Sequence, residues 1–243
     1  MTRKALFGAG ASALLVLALT ACSSGSGTSS TATSSPSETA TPTPTVAKQY
    51  TNDELMELVK QIKTADGADL TVMSSEDLAQ ENPMKALLSM MTIEPAECAD
   101  LATLGGSEPL PGSTTAAGAD VTSGAAGVMS VVTLTSGVDA DALNKSVEDS
   151  SAHAAKCATM TLTMAGQSLT VATEKVDGIS KVPGTVGYKT AMSLPDGQKQ
   201  STYMAFAIKD GVLISATASG KTAETEGAAA AGALMDQAAA LIK

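Results

Sequence analysis

The chain has 243 residues, 15 of them basic and 25 acidic, with a formal net charge of −10, 2% aromatic residues and no tryptophan. Its single arginine is Arg3, so the acidic remainder lacks the guanidinium groups and basic surface that nucleic acid, phosphate or an anionic lipid face would need. The scarcity of aromatic rings likewise argues against a sugar-stacking protein.

Arg3 and Lys4 precede an apolar run from Ala5 to Ala21, the charged and greasy regions of a secretory signal. The run ends in Leu19-Thr20-Ala21-Cys22, which resembles the bacterial lipobox. That resemblance implies that the Cys22 thiol receives a diacylglycerol and that Cys22 becomes the new N-terminus. Residues 1–21 are thus expected to be a lipoprotein signal peptide. Residues 22–49 are rich in Ser, Thr and Pro and bury too little apolar surface to offset their ordering entropy, so a disordered tether is expected there. Residues 50–243 form the foldable domain. Removing the signal takes Arg3 and Lys4 from the 15 basic residues, leaving 13 lysines against 25 acids and a charge of −12.

Within the domain, Thr51 and Glu54 have the spacing of a capping box. Leu55, Leu58, Val59 and Ile62 follow at helical spacing, and Asp66-Gly67 stops the helix. Asp69 to Met73 reads as a short strand. A helical region opens at Ser74, breaks at Pro83 and resumes from Met84 to Met91. Pro95 to Leu101 reads as a helical turn with proline at its first position. Gly105 to Gly127, dominated by Gly, Ser, Thr and Ala, reads as a long mobile loop, and Val128 to Thr135 as a strand. Asp139 caps a helix from Ala140 to about Cys157. Thr159 to Met164 and Ser168 to Thr173 form one hairpin. Tyr188 to Leu194 and Ser201 to Ile208 form a second, and Asp210-Gly211 turns the chain into Val212 to Ala218. An alanine-rich helix closes the sequence from about Thr222.

Strands joined by tight turns, with helices at both ends and one inserted, give an α+β fold: an antiparallel β-sheet packed with helices on one face. Met204, Phe206 and Ile208 share a strand face that should meet those helices. Tyr203, Ala205 and Ala207 share the other, expected to face water or to line a shallow cleft with Ser215 and Thr217. Tyr203, Ser215 and Thr217 are therefore the candidate ligand-binding residues. Cys98 and Cys157 remain after lipidation, and outside the cytoplasm such a pair is most simply one disulfide, closing a loop of about 60 residues worth about 4 kcal/mol. A metal pair or a reactive thiol lacks supporting residues, since His153 is the only histidine.

Pro95-Ala-Glu-Cys98, the Gly-rich loop after it, Val131-Val-Thr-Leu134, the helix into Cys157 and the hairpins before an alanine-rich helix together resemble the extracellular sensor domain of PknH-type mycobacterial Ser/Thr kinases. The resemblance runs from about Ile93 to Lys243. It implies an α+β sheet domain with a cleft for an extracytoplasmic ligand, of a kind that also occurs as free-standing actinobacterial lipoproteins. The family's first disulfide maps onto Cys98 and Cys157; its second cysteine pair has no counterpart here.

Catalytic motifs are missing. Ser215 to Thr222 lies between strand and helix as a P-loop would, but Ser215 stands where the first glycine belongs, and Thr222 is better read as a helix cap. No lysine follows a serine at the Ser-x-x-Lys spacing, and there is no Gly-x-Ser-x-Gly elbow. His153 lies four residues after Asp149, the spacing of a solvent-facing pair on a helix. Asp139, Asp141, Glu148 and Asp149 read as the solvated flank of that helix, and the 12 methionines as core filler in place of aromatics. No catalytic residue, metal or cofactor is expected. The expected protein is an extracytoplasmic lipoprotein, anchored to the cell membrane by its lipid, that acts as a non-enzymatic ligand-binding or sensor module for an unidentified small-molecule or envelope ligand. A lipid or glycolipid carrier and an envelope hydrolase are the alternatives.

Overall fold

The computed structural model describes residues 48–79, 90–99, 110–120, 127–164, 166–194 and 197–243. Cys22, the 1–21 signal and all but the last residues of the 22–49 tether lie outside these, as does the resumed helix after Pro83 except its end. In chain order the elements are α1 (Asn52–Val59), β1 (Thr71–Met73), α2 (Ser75–Ala79), β2 (Thr92–Glu94), a 3-10 turn (Ala96–Cys98), β3 (Thr114–Asp120), β4 (Val128–Ser136), α3 (Ala140–Lys156), β5 (Thr159–Met164), β6 (Gln167–Val176), β7 (Val186–Ser193), β8 (Lys199–Lys209), β9 (Val212–Gly220) and α4 (Ala223–Leu241). The strands form one antiparallel sheet in the order β1-β3-β4-β9-β8-β7-β6-β5-β2. The α+β class and the hairpins β5–β6, β7–β8 and β8–β9 are as the sequence predicts.

Local chemistry explains the helix starts. The Thr51 backbone N–H donates to Glu54 Oε2 at 2.9 Å and the Glu54 N–H to Thr51 Oγ1 at 3.3 Å, closing the capping box. Asp139 Oδ1 accepts from the Ala142 N–H at 2.7 Å at the start of α3. Pro95 sits just before its 3-10 turn in extended backbone rather than at the first helical position.

Helices cover both faces of the sheet, not one. On the first face, α1 and α4 bury Leu55, Val59, Leu234 and Met235 against Val132, Leu134, Ile214 and the Tyr203, Ala205, Ala207 side of β8. On the second, α3 and the Cys98–Cys157 region pack on Met160, Leu162, Val171, Tyr188, Met204 and Phe206. Period-2 alternation delivers both sets, but β8 is apolar on both faces and so carries a helix on each.

The stretch Gly105 to Gly127 is not wholly a loop, because its middle is β3, seated between β1 and β4. Thr115 to Asp120 are all buried, so no alternation of polar and apolar residues marks the strand. Ala116 and Gly118 are small because α1 lies on that face of the strand. A Cβ at Gly118 would stand 2.5 Å from Val59 Cγ1. β2 is a further strand that the sequence did not announce; it pairs Ile93 with Leu162 at the sheet's edge.

Candidate functional site

Helix α3 rests lightly on the sheet. Only Leu143 and Ala154 of its 17 residues are fully enclosed, and its C-terminal end is fixed by the Cys98–Cys157 disulfide, with Cα atoms 5.7 Å apart. Since the contact at Ala154 is a single methyl group, the helix leaves the space over β6 and β7 unfilled. A half-open hollow of about 510 Å³ results, within the volume range of small-molecule sites. Thr173, Val186 and Tyr188 form its floor, and Ser151, Ala154 and Ala155 form the helical wall. A smaller space of about 220 Å³ lies at the other end of α3, beside Val147, Pro183 and Ile208.

The polar groups around the larger cavity are mostly committed. Ser151 Oγ donates to the Val147 carbonyl at 2.8 Å. At the rim, Lys175 Nζ lies 3.2 Å from Asp177 Oδ1, whereas the Glu174 side chain turns to the opposite face of the sheet, where its Oε1 lies 3.6 Å from Lys189 Nζ. Thr173 differs. Its N–H donates to the Ala158 carbonyl at 2.8 Å, but its Oγ1 is the one buried side-chain polar atom without a hydrogen-bond partner among the described residues. The residue is 7% exposed.

On that opposite face of the sheet, Lys189 reaches the start of α4. It donates to Glu224 Oε1 at 2.7 Å, and Ser201 Oγ donates to Glu224 Oε2. The hydrogen bond from Lys189, then that from Ser201, holds the Glu224 carboxyl below its ordinary 4.5. Glu224 in turn raises the Lys189 amine above 10.5, against the opposing effect of burial. A depressed carboxyl contributes stability that is present above 4.5 and lost as pH falls through its folded value. A raised amine contributes stability that is present below 10.5 and lost as pH rises through its own. The Lys189→Met chain should therefore lose less of its urea midpoint than the native chain between neutral pH and a pH well below 4.5. Parallel pH profiles for the two would show that the pair contributes nothing.

The candidate ligand residues do not converge. Register pairs Tyr203 with Ala218, whereas Ser215 faces Phe206 and Thr217 faces Met204 across the strands. Directly paired residues share a face, so Ser215 and Thr217 lie on the α3 side of the sheet and Tyr203 on the α4 side. Tyr203 is 7% exposed, covered by α4 at Gly227, and its hydroxyl donates to the Glu224 carbonyl at 3.4 Å. It faces neither water nor a cleft. Thr217 is buried and Ser215 half-buried. The sequence did hold a signal for Thr173: alternation places it on the inward side with Leu169 and Val171, a polar residue where an apolar one belongs.

Other motifs resolve into structure. Ser215 to Gly220 belong to β9, so no phosphate-cradling loop exists there. Thr222 precedes α4 without a side-chain cap, and its Oγ1 donates to Glu226 at 2.8 Å. Asp149 is paired with Lys145 at 2.9 Å rather than with His153. Among the described residues no group of three or more His, Cys, Asp and Glu is placed to hold a metal ion, and no helix is long and apolar enough to cross a membrane.

This arrangement of sheet and helices is that of a known α+β domain. The structure is similar to the extracellular domain of PknH from Mycobacterium tuberculosis, with a TM-score of 0.52 at 16% identity, over 81% of this chain and 96% of that one. The resemblance read from the sequence thus holds at the level of fold. A solved structure of an uncharacterized protein, an Rv0999 ortholog from Mycobacterium smegmatis, aligns with a TM-score of 0.39 at 17% identity, over 72% of this chain and 85% of that one. No family model matches the sequence, and no curated protein matches it.

Proposed function

We propose that this chain is a non-enzymatic ligand-binding sensor module, held at the outer side of a cell membrane by a lipid on Cys22. The half-open hollow of about 510 Å³ beside α3 carries the reading, because its volume is that of small-molecule sites. Support comes from the fold shared with the extracellular domain of PknH, and from the lipobox-like Leu19-Thr20-Ala21-Cys22 with its Ser/Thr/Pro-rich spacer. The lipid would keep the domain at the membrane while the spacer holds it off the surface.

Mass spectrometry of the chain purified gently from its own membranes tests both halves. A mature N-terminus at a diacylated Cys22, with a co-purifying small molecule, is the expected result. An unmodified sulfur with residues 1–21 retained would end the anchoring reading. Ala155 is exposed at the cavity wall, so Ala155→Trp should fill the space, leave the fold's melting temperature near that of the native chain and abolish co-purification. Retention of the same molecule by that variant would place binding elsewhere. Recovery of phospholipid or glycolipid would favour a carrier.

A further inference from the structure

Lys175 of β6 and Tyr188 of β7 stand directly opposite each other, so they share the α3 side of the sheet, where both line the hollow. Glu174 turns to the other face with Lys189, which leaves Lys175 as the one charged side chain that the lining strands direct into it. Tyr188 is 7% exposed, and its hydroxyl has no hydrogen-bond partner among the described residues. Thr173 Oγ1 is the one unpartnered side-chain oxygen that is closed off completely. The Tyr188 oxygen therefore keeps an opening, and on its face of the sheet that opening is the hollow. Lys175 is held by Asp177 alone, with the two side chains 64% and 88% exposed. A pair so exposed contributes little and yields readily to another carboxylate. Around these donors Val186, Ala154, Ala155 and Ala158 present mainly hydrocarbon. The carbonyl end of α3 opposes an anion with about half an elementary charge. Lys175 carries a whole one, and Lys156 stands in that last turn of the helix.

Resting on the ligand-binding reading above, we infer that the hollow takes a small monocarboxylate with an apolar body, held through Tyr188 and Lys175. The carboxylate accepts from the Tyr188 hydroxyl and replaces Asp177 as the partner of Lys175, while the body lies on Val186 and the alanines of α3. One ammonium answers one negative charge, so a phosphate dianion would bring a charge that nothing in the hollow offsets. Hydrogen bonds to a charged group are about twice as strong as neutral ones, so the two donors set selectivity and the hydrocarbon adds affinity through burial.

Equilibrium dialysis of the full chain in non-ionic detergent against 2-naphthoate, 2-naphthyl phosphate and 2-naphthylmethanol tests this, with the Ala155→Trp chain subtracting uptake by the micelles. The probes share one ring system and carry a single negative charge, a second one besides, or none. The native chain should hold naphthoate about tenfold more tightly than the alcohol, and more tightly than the phosphate. Lys175→Met should erase the preference for naphthoate over the alcohol. Tyr188→Phe keeps the ring and removes an oxygen that bonds nothing within the chain. It should weaken naphthoate about fivefold and leave the ligand-free melting temperature within about 2 °C of native. Asp177→Asn frees Lys175 and should tighten naphthoate about two- to fivefold, a gain that no loss of folding mimics. Naphthoate held no more tightly than the alcohol, tightest binding of the phosphate, a preference that survives Lys175→Met, or an affinity unchanged by Tyr188→Phe or by Asp177→Asn would each overturn the inference and leave the ligand-binding reading standing. Binding of none of the three above the Ala155→Trp baseline would overturn both.

Discussion

Replacing Cys98 and Cys157 together by alanine should lower the unfolding free energy by about 4 kcal/mol, read as a shift of the urea midpoint at constant slope. The two cysteines are 59 positions apart, and cross-linking them removes the loop-closure freedom of that span from the unfolded chain. Both are essentially inaccessible, at 0% and 1% exposure, and their neighbours are Ala154, Met160 and Leu162 on the α3 side of the sheet. Alanine suits the test better than serine, which would add two buried hydroxyls of its own. The loss should also be uneven. With only Leu143 and Ala154 fully enclosed, α3 depends on the cross-link for its seat, whereas α4 is held by a continuous apolar face. Amide exchange should therefore quicken in α3 and the last turn before Cys157 while α4 keeps its protection. A loss below about 1 kcal/mol, or equal loosening of both helices, would show that packing alone positions α3.

The same contrast explains what was legible in the sequence. The hairpins were, because β5, β6 and β9 alternate polar and apolar side chains and clear turns such as Asp210-Gly211 separate the strands. The cross-link was, because compartment and cysteine count leave a single pairing. β3 was not. Helix α1 demands small residues at Ala116 and Gly118, and those residues read as loop when the partner helix is unknown. Facing was lost for a related reason. Alternation within β8 correctly separates Tyr203 from Met204, but joining Tyr203 to Ser215 and Thr217 requires the register of β8 on β9, and a slip of one residue exchanges the faces. The cavity is a matter of what Ala154 fails to fill, and only the position of α3 over β6 reveals it. Thr173, by contrast, was readable as a polar residue in an inward position.

Helix α4 offers a case in which local propensity and packing predict opposite signs. Gly232 sits within it, where alanine normally gains about 1 kcal/mol over glycine. Yet a Cβ at that position would stand 2.0 Å from the Ile179 carbonyl oxygen and 3.2 Å from its carbon. The obstacle is backbone, so no rotamer relieves it. Nor is the turn free to retreat, because Asp236, one helical turn on, accepts from Ser180 Oγ at 2.6 Å and from the Lys181 N–H at 2.9 Å. Accommodating the methyl means lifting α4 from Ala205, Ile214 and Leu134 or breaking those bonds. Gly232→Ala should therefore cost about 2–3 kcal/mol despite the better helix former. The exposed Ala229 of the same helix supplies the control: Ala229→Gly should cost about 1 kcal/mol from propensity alone. Chemical denaturation of both variants decides the matter. If Gly232→Ala proves more stable than the native chain, α4 does not approach the Ile179 turn as closely as the glycine demands.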